Sequence, residues 1–414
     1  MADLNVALIL KFVDQATRPA RVAFDRMAQV QQRLGAEQVA RGRDRIAAAR
    51  ESSRGMAGEA LAIGGIGYAL SRALQPAIAF EAKMAEVGKV VDFAAPDGLQ
   101  LLGRDIQALT TSGGLPMVAD GIADIVAAAA GANLIDKALP DDEKREQLIA
   151  FADAAAKMGV AFDISADAAG SAMATWRSSL GLTQDEALSL GDAVNHLSNN
   201  MNASAASITD VIARVGVAAK GAGLADAEVA ALAAAFLSSG QGGDVAATAV
   251  KNFTGALTAG EAATKAQAGV LTKLGFGAED LAKRMQVDAK GAILDVLEAL
   301  RGLEDYERPA AISMLFGEEV KGSVAPLVEN AALLEGALGL VGDKAAYAGA
   351  MTKEYAGVAN TTAARVSVMQ NRMAELGVIV GTSLLPAFVA FLEGVTPTVR
   401  ALGDLAAAHP AVIQ

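Results

Sequence analysis

Between Ile164 and Leu257 the apolar positions recur at helical spacing, and each stripe lies between a polar cap and a loop of glycine or asparagine. Thr183-Gln-Asp-Glu186 has the form of a capping box. The Thr183 hydroxyl and the Glu186 carboxylate each satisfy an amide that a helix start leaves free. The helix predicted from there puts Ala187, Leu190, Val194, Leu197 and Met201 on one face and ends in the loop Asn199 to Asn202. A second stripe holds Ile208, Val211, Ile212 and Val215, closed by Gly221 and Gly223. Asp226 opens a third helix with Val229, Leu232, Ala233, Phe236 and Leu237 inward. After the break Gly240-Gln-Gly-Gly243, a fourth carries Ala246, Ala249, Val250, Phe253 and Leu257. Helices this short are not stable alone and must pack on one another.

The same rules extend outward. Pro140 with Asp141, Asp142 and Glu143 starts a helix whose inner face includes Leu148, Phe151 and Ala155. Asp288 caps the helix of Ile293, Leu297 and Leu300. Asp305 and Pro309 open one that ends at Phe316, with Gly317 in the left-handed cap position. A final helix is expected from about Ala359 to Ser383, before Leu385-Pro386. Residues 99–345 thus read as one body of about ten short helices. At the other end, residues 4–13 alternate weakly as a strand would. Thr17-Arg18-Pro19 starts a long helical arm running to about Arg54, with Phe24, Met27 and Leu34 at coiled-coil spacing. The expected fold is therefore all-α: a multi-helical body of short capped helices, a long N-terminal helical arm and a C-terminal apolar helix. The domains are placed at 1–88, 89–342 and 343–414.

Composition agrees. Hydrophobic residues make up 53% of the 414-residue chain and aromatics only 4%, so the apolar content is mostly alanine, valine and leucine. Alanine favours helices and close helix packing. With no cysteine there are no disulfides or thiolate sites. The net charge of −12 opposes binding to nucleic-acid phosphates, so no sequence-specific nucleic acid is expected. Residues 11–54 run the other way, with ten Lys/Arg against five Asp/Glu. Arg41, Arg43 and Arg45 are the residues singled out there for docking on an acidic partner, against the reading of a solvated amphipathic helix. No signal peptide precedes the first apolar run, and folding in a cytoplasm is the simplest expectation.

The search for chemistry turns up little. No nucleophile elbow or phosphate loop is present, and no cofactor or metal is expected. His196 reads as a surface partner of Asp192 four residues earlier, and His409 as part of a turn near the chain end. Asp141 to Glu146 read as a solvated helix start rather than a cation site, because Lys144 and Arg145 interleave. Trp176 reads as core, near Phe162 and Met173. Leu376 to Leu392 is a charge-free run of 17 residues holding Gly377-x-x-x-Gly381, a notch that lets helices approach closely. Pro386 and the short length count against a membrane span and favour a packing face.

The segment ASAASITDVIARVGVAAKGAGLADAEVAALAAAFLSSGQGGDVAATAVKNF resembles the core of the phage tail tape measure family. Its pattern is a Ser/Thr-rich capped helix, a Gly-Leu turn, an acidic-capped Ala/Leu helix and a glycine loop. Arg308 to Glu319 resembles the family segment ending in Leu-Phe-Gly, and Gly377 to Pro386 its Gly-x-x-Leu-Leu-Pro turn. The resemblance covers roughly residues 75–400. Asp244 departs from it by standing where a small residue is usual, and residues 115–145 match poorly. The resemblance implies a non-enzymatic virion structural protein that sets tail tube length, occupies the tube lumen and leaves ahead of the DNA. Implied partners are the tail tube, a tail assembly chaperone, baseplate or tail tip proteins and further copies of the chain. Implied places are the tail lumen and, during assembly, the host cytoplasm. Family members usually continue past this length, so the chain is expected to be a fragment. The family also keeps a contact with the host inner membrane in view. A membrane-active channel-forming or lysis protein is the alternative, resting on 376–392 and the Gly-rich apolar stretch 61–70. A cell-wall hydrolase on a helical scaffold finds no support in the residues.

Overall fold

The computed structural model describes residues 77–376 and residue 378, all within a unit comprising Leu74–Gln414. The weak strand, the basic arm, the stretch 61–70 and most of the run 376–392 lie outside the described residues. Among the described residues every regular element is a helix. In chain order they are α1 (77–87), α2 (Gly98–Thr111), α3 (Ala119–Gly131), α4 (Asp141–Phe162), α5 (Ala166–Ser179) and α6 (Gln184–Asn200). Next come α7 (Ala205–Gly221), α8 (Asp226–Ser238), α9 (Gly243–Leu257), α10 (Lys265–Lys273), α11 (Ala278–Met285) and α12 (Ala289–Arg301). The last are α13 (Arg308–Phe316), α14 (Lys321–Glu329), α15 (Ala331–Leu340), α16 (Lys344–Tyr347), α17 (Ala350–Ala359) and α18 (362–376).

The caps explain where these helices begin. Thr183 accepts from the Glu186 amide while Glu186 accepts from the Thr183 amide at 2.8 Å. Thr264 and Gln267 make the same box at α10. Ser165, Ser204 and Asp288 each accept one first-turn amide. Asp226 is the first residue of α8 rather than its cap. Glu228 closes that turn by accepting from the Ala225 amide, and Asp226 pairs with Lys220. The body is cut more finely than the apolar pattern suggests, because Gly275 and Asn330 each follow a helix of two or three turns and Gly277 caps the start of the next. The helix expected from about Ala359 to Ser383 begins at residue 362, after a break that separates it from the helix before, and its part beyond 376 lies largely outside the described residues. Thr361 donates to the Val358 carbonyl and accepts from the Ala364 amide, so one helix ends and the next is capped there.

The core forms around α8. From Val229 to Leu237 every residue is buried, packed by α6, α7, α9, α14 and α15. A helix apolar on all sides belongs in the middle of a body, and its alanines let five neighbours approach. Phe236 and Phe253 are both fully buried, with ring centroids 6.0 Å apart edge to face. Phe253 in turn stacks on Phe316 at 4.8 Å. These rings join α8, α9 and α13. The turn between α7 and α8 needs its glycine twice over. Gly223 has φ +101°, and a Cβ there would stand 2.0 Å from the Met285 carbonyl oxygen. Trp176 is fully buried in α5, as expected.

Candidate functional site

Helices α7 and α9 lie side by side in the same direction. Arg214 of α7 pairs with Asp210 at 2.9 Å and with Asp244, in the first turn of α9, at 2.8 Å. The acidic residue that departs from the family pattern thus ties the starts of two helices. Further along, the pair opens into a groove of about 610 Å³ completed by α10 and α13. Ala218, Lys251, Thr254, Gln267, Met314 and Gly317 are among its lining. The Gln267 amide donates to the Leu315 carbonyl at 3.0 Å, and Asn252 donates to Glu319 at 2.7 Å. Gly317 at the rim has φ 104° and ψ 149°, an extended conformation closed to other residues rather than the left-handed cap expected of it. Met314 is half exposed on the wall. Its lining sets hydroxyls, amides and one lysine beside the apolar Ala218, Met314 and Phe316.

The polar clusters named from the sequence are used in holding the body together. Asp141 accepts from the Ala94 and Ala95 amides at 3.0 and 2.8 Å, and those bonds hold its carboxyl below the usual carboxylate range. Lys144 donates to the Asp92 carbonyl and Arg145 pairs with Asp105. The start of α4 keeps Asp142, Glu143 and Glu146 in solvent, as expected, while Asp141, Lys144 and Arg145 clamp the loop after α1 and helix α2. Asp192 is not paired with His196, as its oxygens accept from the Gly349 and Met351 amides at 2.8 and 2.9 Å. Backbone amides 157 and 159 residues away take the place of His196 because the returning chain is laid across α6 there. Among the described residues no cluster of His, Cys, Asp and Glu is arranged to hold a metal ion.

Arg41, Arg43, Arg45, His409, Gly377, Gly381 and Pro386 lie outside the described residues. Leu376, at the edge of the charge-free run, is exposed. Among the described residues no helix is long and apolar enough to cross a membrane. Arg308 was not singled out from the sequence. It donates to the Arg301 and Leu303 carbonyls at 3.0 Å each and pairs with Asp305 and Glu329, closing the end of α12. Its position directly before Pro309, just past the end of a helix, is the local signal for that role.

A family model described as phage-related minor tail protein matches residues 106–317, which takes in the groove and the whole of α8. The probable tape measure protein of Halomonas phage phiHAP-1 is 37% identical over 373 residues, 89% of this chain and 43% of that protein. The chain thus spans less than half the length of the curated relative it matches. No solved structure matches it. Because the family model takes in just over half of the residues and the relative agrees along most of the rest, the chain belongs to the phage-related minor tail protein family, whose members are structural components of phage tails.

Proposed function

We propose that this chain is part of a tape measure protein that sets tail tube length, occupies the tube lumen and departs ahead of the DNA. The observation that carries this is the identity to a probable tape measure protein over 89% of the chain. A continuous helix advances about 1.5 Å per residue, so tail length is written in residue count. The described helices are too short for a rod: the longest, α4, has 22 residues and extends about 33 Å. This part therefore acts as a folded end region, at the tip or before the protein extends. Its partners are the tail tube, a tail assembly chaperone and baseplate or tip proteins, together with other copies of itself. It is made in the host cytoplasm and ends in the tail lumen.

Two contacts belong to this reading. Arg41, Arg43 and Arg45 dock the arm on an acidic tail protein. Raising salt from about 0.05 to 0.5 M shortens the screening length from about 13 to about 4 Å and is expected to weaken that contact. The notch of Gly377 and Gly381, before Pro386, joins copies through the C-terminal run. Replacing Gly381 by leucine is expected to reduce self-association in light scattering. The role itself is tested in the phage. Forty helix-forming residues inserted into the full-length protein outside this folded region are expected to lengthen the tail by about 60 Å in electron micrographs. Tails of unchanged length on fully assembled particles would remove the ruler from the reading.

A further inference from the structure

From Asp343 onward the chain turns back and crosses the body. Helix α17 lies on α4 and α6, and α18 ends against the loop between α2 and α3. Polar bonds anchor it at both ends. Asp192 of α6 accepts the Gly349 and Met351 amides, and Asn195 donates to the Ala350 carbonyl at 3.2 Å. At the far end Asn371, itself buried, donates to the carbonyls of Leu115 and Met117 at 3.3 and 2.7 Å. Arg372 donates to the Thr111 carbonyl. Of residues 344–376, Tyr347, Met351, Ala364 and Asn371 are buried and Tyr355 packs against the core under Lys157, so the apolar contact is concentrated around α17 and is thin along α18. The amides and carbonyls it releases find water at once, and a hydrogen bond exchanged for water contributes little net stability. Off the body, α16 and α17, of 4 and 10 residues, are marginal as isolated helices.

We propose that residues 343–376 are a detachable strap, which opens while α2 to α15 stay folded. Opening turns the last described helices into a tether. It also uncovers the Thr111, Leu115 and Met117 carbonyls and the Gly191–Asn195 face of α6. The pivot is the pair of anchors, the Asp192 carboxylate and the Asn371 amide. This inference does not depend on the tape measure role.

Native-state hydrogen exchange on the full chain, read by mass spectrometry, tests it. Amides of 350–376 are expected to exchange at least ~100-fold faster, after correction for intrinsic rates, than those of 229–237. Equal protection in the two segments, meaning that both open only by global unfolding, overturns the proposal. Asn371→Leu is expected to speed exchange across 362–376 about tenfold and leave 229–237 unchanged. Acceleration of both segments alike, or of neither, also overturns it. Circular dichroism and Trp176 fluorescence report whether that variant folds; if it does not, the wild-type comparison decides alone.

Discussion

Helix α8 and the described part of α18 hold to the same molecule in opposite ways. In α8 nine consecutive residues are buried, and neighbours cover the helix all round. In α18 Ala364 and Asn371 alone are buried, while Val366, Met369, Met373 and Leu376 form an exposed stripe. The first helix is stabilised by transfer of apolar surface from water, which a single local opening cannot recover. The second is held by the Asn371 amide and the Arg372 guanidinium on backbone carbonyls, bonds that water replaces readily. The lesson is that helix formation and helix attachment are separate matters. Both segments have the composition to be helical, but only the first is built into the core.

Substitutions at paired positions sharpen that contrast. The largest effect is expected for Phe236→Ala, about 3–5 kcal/mol of lost stability in urea unfolding followed by Trp176 fluorescence. It removes the edge-to-face contact with Phe253 as well as the buried ring. Ala234→Leu should follow, since a larger side chain has no space within α8: about 1–3 kcal/mol, against near neutrality for Ala374→Leu on the exposed side of α18. If the two leucine variants melt together, the central placement of α8 is wrong. Thr183→Ala, which breaks the capping box of α6, should reduce stability by about 1 kcal/mol.

Acid provides a fourth test. Amides of Ala95 and Ala94 lower the folded pKa of Asp141, and those of Thr183 do the same for Glu186. A carboxylate lowered in the folded state contributes stability that is present above its unfolded pKa, about 4, and lost as pH falls through its folded pKa. The gap between wild type and Asp141→Asn in thermal melts should therefore be full at pH 7 and shrink below about pH 4. Asp120 runs the other way. Burial raises its pKa, so its contribution worsens as pH rises, and Asp120→Asn should not destabilise the body at pH 7. The smallest effect is expected for Met373→Ala, within about 0.5 kcal/mol, because that side chain faces water. A loss comparable with Phe236→Ala would show that α18 is part of the core after all.

Much of the body was legible in the sequence, because its signals are local. The Thr183 box needs four consecutive residues. The stripes of α6 to α9 need one turn of helix to the next, and every inward position named for α7, α8 and α9 is buried. The same locality explains the errors. Asp192 and His196 are neighbours on one helix, and nothing within reach of Asp192 in the chain announces Gly349 or Met351. Asp141 reads as a solvated helix start until the loop at Ala94 and Ala95 is brought against it. The groove beside Phe316 joins four helices spread over residues 218–317, and no single stretch of sequence carries it.

The sequence by itself determined that the described body is helical, where helices such as α6, α8 and α12 begin and which faces of α7 and α9 turn inward, since caps and apolar periodicity act over a few residues. Tertiary structure alone decided that α8 is enclosed on every side, that Asp192, Asp141 and Asn371 grip backbone groups from distant segments, and that the chain from Asp343 onward is strapped over the body rather than built into it. Those outcomes depend on which surfaces meet, and a meeting between residues 150 or 250 positions apart leaves no mark in the local pattern of either partner.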